Sequence, residues 1–230
     1  MLVENYNYVK QQVINTALQC GRNPEDITLI AVSKTKPLAD IEELITVGVS
    51  EFGENKVQEL CDKYENVSRP VHFHLIGHLQ TNKVKYVVDK ACLIHSLDSV
   101  KLAKEIQKEA LKKQVIAEVL IEVNVAEEDS KFGLTVEEVI PFIEEISTYS
   151  NIHVNGLMTI APFVENPEEN RVHFRRLRQL SLDITSKNID NIDMNVLSMG
   201  MTNDYQVAIE EGATMVRVGT AIFGARNYSI

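Results

Sequence analysis

Two lysines stand where an apolar run gives out, in Leu29-Ile30-Ala31-Val32-Ser33-Lys34-Thr35-Lys36-Pro37. The chemistry open to them is that of a nucleophilic amine. The apolar residues, with β-branched Ile30 and Val32 among them, read as a buried strand. Pro37 lacks an amide donor and biases Lys36 away from helix, so the strand ends about there. A lysine at a strand mouth can be half-buried, and burial moves it toward the neutral amine. If the run stays extended, Lys36 shares a face with Lys34, and a second cation depresses the pKa of Lys34 further. The functional reading is a Schiff-base lysine; the plain one is two solvated lysines in a loop. Spacing does not choose between Lys34 and Lys36.

Near the other end of the chain lie Ser198-Met199-Gly200 and Gly219-Thr220. Small, hydroxylic and glycine-rich, they let backbone amides approach an anion closely, and each reads as opening a helix whose N-terminus favours negative charge. The plain alternative is a pair of tight turns. Arg217 sits between Val216 and Val218 in an apolar run. An inward arginine is costly without an acceptor, so it either pairs with a barrel carboxylate such as Glu122 or faces a ligand. A strand-end lysine, a phosphate cradle and an inward arginine suit pyridoxal 5′-phosphate (PLP). Lysine would meet the aldehyde, the loops the phosphate and Arg217 the pyridine nitrogen.

Two other classes compete. His72-Phe73-His74 places two imidazoles on one face of a strand, where they could ligate a metal as in barrel amidohydrolases. Such a site wants further histidines on later strands and an aspartate on the eighth. His153 falls at the beginning of its strand, and the eighth offers Arg217. The third class is an interaction module, with Arg171, Arg175, Arg176 and Arg178 as a basic helix face for an acidic partner, or simply a solvated face.

What must position these residues is an alternation of strands and helices. Strands are expected at Thr28–Val32, 50–55, 71–76, 92–96, 115–123, Ile152–Met158, 194–197 and 214–218, with helical periodicity between them and in the first twenty residues. Thr135 is expected to cap the most amphipathic helix. Eight βα units with short loops predict a closed (β/α)8 TIM barrel, and no GxGxxG follows the first strand to argue for an open dinucleotide-binding sheet. In such a barrel the strand C-termini share one face. That face would collect Lys34, Asn55, His78, His95 or Ser96, Asn124, Met158, Ser198 with Gly200, and Arg217 with Gly219 and Thr220. The loops after strands seven and eight are where barrels commonly bind phosphate.

The whole chain sets bounds. Its 230 residues, 44% hydrophobic, suit one barrel domain over 1–230 with an extra N-terminal helix. A net charge of −10 argues against non-specific nucleic-acid binding. No apolar run is long enough to span a membrane, and the first residues do not read as a signal peptide. Cys20, Cys61 and Cys92 are odd in number and widely spaced, which points to structural thiols in a reducing cytoplasm. Nothing demands more than a monomer.

Five motifs in order then carry a resemblance: Ala31-Val32-Ser33-Lys34-Thr35-Lys36-Pro37; Phe52-Gly53-Glu54-Asn55; His74 through Lys83; Leu197-Ser198-Met199-Gly200-Met201; and Met215 through Arg226. Over nearly its whole length the chain resembles the pyridoxal phosphate homeostasis proteins, whose barrel is similar to the N-terminal domain of alanine racemase (PLP fold type III). The resemblance implies that Lys34, not Lys36, carries PLP. It implies that Ser198, Met199, Gly200, Gly219 and Thr220 cradle the phosphate, that Arg217 meets the pyridine nitrogen, and that Asn55 and Met158 lie near the cofactor. His78 falls at a position that varies. It further implies a PLP binder in vitamin B6 and amino-acid balance, with apo PLP-dependent enzymes as candidate partners and no established reaction. A racemase-like activity is the alternative. Racemisation needs a second acid/base group opposite Lys34. The sequence ends shortly after strand eight, so the C-terminal β domain that supplies that base in alanine racemase is not expected, and Tyr228 is a poor substitute. An arginine at the ring nitrogen also donates without protonating it, which weakens the electron sink.

Overall fold

The computed structural model describes residues 1–128 and 131–225. Eight parallel strands close into a barrel in chain order. They are β1 (Thr28–Val32), β2 (Glu51–Glu54), β3 (His72–Leu75), β4 (Leu93–Leu97), β5 (Ala117–Glu122), β6 (Ile152–Met158), β7 (Ile192–Met201) and β8 (Met215–Val218). Covered by helices outside and packed against one another inside, they are apolar on both faces, which is why they read as short continuous runs. The ring closes where β1 pairs with β8, with Leu29 opposite Val216 and Ile30 opposite Arg217. A small inner cluster of Leu93, Leu120 and Met158 fills part of the barrel. Phe52, Phe73 and Phe174 are fully buried in the larger core shared with the helices.

The helices are α1 (Leu2–Gln19), α2 (Leu38–Thr46), α3 (Val57–Asn66), α4 (Val84–Val87), α5 (Val100–Lys113), α6 (Val136–Ile146), α7 (Arg171–Thr185), α8 (Tyr205–Glu210) and α9 (Thr220–Phe223). Helix α1 precedes the first βα unit and lies over the closing seam. Its Asn5 side chain donates to the Ile222 carbonyl, while Arg22, just past the helix, donates to the Ile209 and Ala213 carbonyls at 2.7 Å each. Thr135 does precede α6, and its amide donates to the Glu138 carboxylate at 2.9 Å, the backward half of a capping box.

One boundary differs in a way that matters. The seventh strand runs on through Ser198-Met199-Gly200 to Met201, paired with β6 at Met158↔Ser198 and with β8 at Ser198↔Met215 and Met201↔Arg217. The register shifts between the last two pairs, so Gly200 sits in a strand irregularity rather than in a loop. A glycine expected in the loop after the strand is here a kink that lets the ladder continue.

Candidate functional site

The β1 mouth is built from three elements. Ser33 donates its hydroxyl to Glu54 Oε1 at 2.6 Å, and the Lys63 ammonium of α3 reaches the Ser33 carbonyl (2.8 Å), Glu54 Oε1 (2.7 Å) and Glu59 Oε1 (2.7 Å). The Thr35 amide donates to the same Glu59 oxygen at 2.6 Å. Thr35 has φ +64°, a left-handed conformation that a β-branched residue adopts only when its surroundings enforce it. Lys34 stands between these two anchored neighbours, half-buried. Lys36 turns away and donates to the carbonyl of Phe223, the last residue of α9, at 2.9 Å. Burial pushes the Glu54 carboxyl up, against the pull of Lys63.

Arg217 points inward from β8 and is 3% exposed. Its guanidinium donates from Nη1 to Ser198 Oγ (2.5 Å) and from Nη2 to the Thr159 carbonyl (2.8 Å). Neutral acceptors therefore hold it, in place of the ion pair with Glu122 weighed from sequence; Glu122 and Asp204 act on it only through their fields. Burial lowers the guanidinium to about 10, so it stays charged at neutral pH. Glu122, at the end of β5, is pushed up to about 7 by burial and by Asp98, with Arg217 opposing.

The glycine loops meet beside this arginine. Gly200 has φ +90°, and a Cβ there would lie 2.6 Å from Ala208 Cβ and 2.9 Å from Tyr205 Cα. Gly219 packs against Val32 of β1, two residues before Lys34. Thr220 Oγ1 donates to Thr202 Oγ1 at 3.1 Å, tying the two loops together. The expectation that each loop opens a helix holds for Gly219-Thr220, though α9 has only four residues, but not for Ser198-Met199-Gly200, since α8 has six residues and starts only at Tyr205. Single-turn helices carry little macrodipole, so close backbone approach is the physical basis of any anion site here.

Of the other expected residues, Asn55 abuts Gly77, and its buried side-chain oxygen has no hydrogen-bond partner among the described residues. Met158 is fully buried with Leu93 and Leu120, one residue before the carbonyl that holds Arg217. Met199 is fully buried in the main core, so only its backbone is available to a ligand. His78 stacks on Phe132, with ring centroids 3.9 Å apart, and faces Asp98 at 3.4 Å, joining the loops after β3, β4 and β5. Arg226 and Tyr228 lie outside the described residues.

His72 and His74 do share a side, as their spacing predicts, but they face Glu51 near the N-terminal end of the barrel, at 2.6 and 2.8 Å. Among the described residues no cluster of three or more histidines, cysteines or carboxylates could hold a metal ion. His153, also at that end, lies between Glu118 (2.8 Å) and Asp193 (3.0 Å). In the basic segment, Arg171 pairs with Glu168, Glu210 and Glu211, Arg175 with Glu211, and Arg176 with Glu127. Most of that charge is neutralised by the chain itself. Sequence reading missed Lys63 and Glu59, whose i, i+4 spacing on α3 was the available signal, and Thr159, which acts through its carbonyl and so leaves no trace in residue type.

These residues fit PLP on their own terms. The Gly200 kink leaves no room for a side chain, Asn55 holds an unsatisfied buried acceptor, and Arg217 has N–H donors beyond those spent on Ser198 and Thr159.

Comparison with known proteins agrees with the geometry. Residues 15–227 match the model of the alanine racemase N-terminal domain family. A pyridoxal phosphate homeostasis protein of Aquifex aeolicus is 44% identical over 226 residues, 98% of each chain. The structure of PipY from Synechococcus elongatus, solved with PLP bound, superposes with a TM-score of 0.83 at 29% identity, over 97% of this chain and all of that one. An alanine racemase of Clostridium difficile shares the fold at a TM-score of 0.73 and 16% identity, covering 99% of this chain but 57% of its own. With the barrel, the lysine at its first strand mouth and a relative 44% identical over nearly its full length all in agreement, the chain belongs to the pyridoxal phosphate homeostasis protein family.

Proposed function

We propose that this protein binds PLP at the C-terminal face of its barrel and holds it in reserve or for transfer, in the balance of vitamin B6 and amino-acid pools. The observation that carries this reading is Arg217, a buried guanidinium at the barrel mouth, fixed by neutral acceptors and with donors to spare. Lys34 supplies the amine that bonds the cofactor, and the backbone at Ser198-Met199-Gly200 and Gly219-Thr220 receives its phosphate. Asn55 and Met158 border the ring. The PLP-bound PipY relative and the relatives' names support the assignment.

When bound, PLP supplies an aldehyde for amines and an electron-withdrawing ring. The chain's own residues are arranged to hold it. The Lys63–Glu54–Glu59 network fixes the backbone on both sides of Lys34, and Thr220 with Thr202 braces the two anion loops. Arg217 donates to a ring nitrogen without giving up its proton, so little chemistry is expected at an amino acid's Cα. Apo PLP-dependent enzymes are the natural recipients.

The test is borohydride reduction of the yellow holo-protein followed by peptide mapping. The adduct is expected on the peptide holding Lys34 and lost in Lys34→Ala. An adduct confined to Lys36, or a colourless protein that binds no PLP, overturns the assignment. Solvent-deuterium exchange with both enantiomers of alanine and serine separates holder from racemase: rapid label entry with inversion, abolished by Lys34→Ala, makes this protein an enzyme.

A further inference from the structure

A row of polar groups runs through the middle of this barrel, where side chains are otherwise apolar. Ser198 Oγ accepts from Arg217 Nη1 and lies 3.0 Å from His95 Nδ1. His95 Nε2 lies 3.0 Å from His74 Nδ1, and His74 Nε2 lies 2.8 Å from Glu51 Oε2. Ser198 and His95 are fully buried and His74 nearly so. The row starts at the arginine of the candidate cofactor pocket. It ends in an open cleft at the opposite end of the barrel, where Glu51 also meets the exposed His72.

Hydrogen-bond chemistry fixes the direction of each link. Arginine only donates and an ionised carboxylate only accepts. Glu51 is ionised: burial raises it, but the bonds from His74 and His72 outweigh this and bring it to about 2. His74 therefore carries its proton on Nε2. If His74 is neutral, its Nδ1 accepts, so His95 also carries its proton on Nε2. His95 Nδ1 then accepts the Ser198 hydroxyl proton. Every donor in the row points from Arg217 toward Glu51, and the Ser198 proton is unavailable to a ligand.

We propose that Ser198, His95, His74 and Glu51 form a proton relay with two polarities, linking the cofactor pocket to the opposite end of the barrel. In the second polarity hydronium from the solvent gives a proton to Ser198 Oγ and leaves as water, and the hydroxyl's own proton passes onto His95 Nδ1. His95 releases its Nε2 proton to His74 Nδ1, and His74 becomes an imidazolium against the Glu51 carboxylate. One bond to hydrogen forms and one breaks at Ser198 and at His95, so both end neutral, and the added charge rests on His74. Ser198 then accepts from both Arg217 and His95, its proton turns free, and the hold on Arg217 weakens.

The surroundings favour the charge at that end. Around His74 stand Glu51 of β2, His72 of its own strand, and Cys92 and His95 of β4 and its approach; Glu118 and His153, paired with each other, lie across the cleft. Burial first, and then Glu51, pushes the Cys92 thiol up to about 12, so it stays neutral. His95 is kept neutral by its complete burial, then by His74 and Arg217. Glu51 is thus the one carboxylate bonded to His74, and a neutral His95 is what a relay requires.

The inference deepens the PLP reading and rests on it only for what the relay serves. Long-range 1H–15N NMR of the histidines of the PLP-loaded protein reads the tautomers directly, with His95→Phe assigning its ring. At alkaline pH both His74 and His95 are expected to carry hydrogen on Nε2 alone. As pH falls, His74 gains a second proton, and His95 moves its single proton to Nδ1 at the same midpoint. Glu51→Gln removes the carboxylate at the end of the row, while PLP should still bind one to one. A His95 tautomer that stays unchanged while His74 titrates, or a His95 that itself becomes doubly protonated, overturns the relay. A protein that takes up no PLP overturns the binding reading instead, and the tautomers remain measurable without it.

Discussion

Lys34 and Lys36 show how little separates a candidate nucleophile from a structural cation. The two differ by two positions, yet Lys36 is spent on the carbonyl of Phe223, while Lys34 lies between two backbone groups anchored by buried side chains. Thr220 carries the affinity prediction at this scale. If its hydroxyl and amide serve the phosphate, Thr220→Ala should weaken PLP binding by about 1–2 kcal/mol, roughly five- to thirty-fold. Pyridoxal without its phosphate should bind far more weakly still. Fluorescence titration of the apo-protein measures both, and equal affinity for pyridoxal and PLP removes the cradle. Glu122 carries a pH prediction. Its carboxyl is raised from 4.5 to about 7 by burial, so it binds a proton more tightly in the folded chain than in the unfolded one. The stability tied to that proton is full below about pH 4.5 and is lost as pH rises through about 7. Glu122→Gln should therefore stabilise the apo-protein by about 3 kcal/mol at pH 8 and leave it nearly unchanged at pH 4. Urea denaturation at the two pH values decides, and equal effects at both would show that Glu122 titrates normally.

At the scale of elements, the β1 mouth depends on α3. Lys63 is 6% exposed and serves three acceptors, so Lys63→Met leaves the Glu54 carboxylate buried without its cation. Breaking a buried pair from one side costs roughly 3–5 kcal/mol. The expected outcome is a matching loss in urea denaturation together with slower PLP uptake at Lys34, since the Ser33 carbonyl loses its donor and Glu59, which holds the Thr35 amide, loses its cation. Lys63→Met combined with Glu54→Gln should recover part of the stability. Recovery in neither measurement would mean that Glu54 is not the group left exposed to the loss. The β7 kink is equally specific. Gly200→Ala forces a Cβ against Ala208 and Tyr205 at a positive φ, and it should lower both stability and PLP affinity.

On the scale of the molecule, closure is the vulnerable step. Every other strand pair is backed by its own βα unit, but the β8–β1 seam joins the two ends of the barrel sequence and is covered by α1. Arg22 locks that cover by donating to the carbonyls of Ile209 in α8 and of Ala213 just beyond it. Arg22→Ala removes two charge-assisted bonds and should cost about 2–3 kcal/mol. For a chain of this length that lowers the melting temperature by roughly 4–12 °C. A change below one degree in calorimetry would show that the α1 apolar face, with buried Val9, Val13 and Ala17, holds the seam without it.

The amino-acid sequence by itself determined the eight-stranded parallel barrel, because strands buried on both faces must be apolar runs and their helices must be amphipathic, and both patterns are local. It also placed Lys34, Asn55, Ser198 and Arg217 at strand ends or within the barrel, since a side chain's position along its own strand is a local property. Tertiary structure alone decided what those residues touch. Ser198 reads as a phosphate ligand, yet its hydroxyl lies between Arg217 of the next strand and His95 of β4, far away in the chain. Gly200 reads as part of a loop, yet β7 runs on past it to pair Met201 with Arg217 of β8. His72 and His74 read as metal ligands, yet a glutamate one strand away claims both. Arg171 reads as a docking charge, yet carboxylates of α8 and its own loop neutralise it. In each case at least one deciding partner comes from another element of the fold, and a contact between elements leaves no mark on the residues near it in sequence.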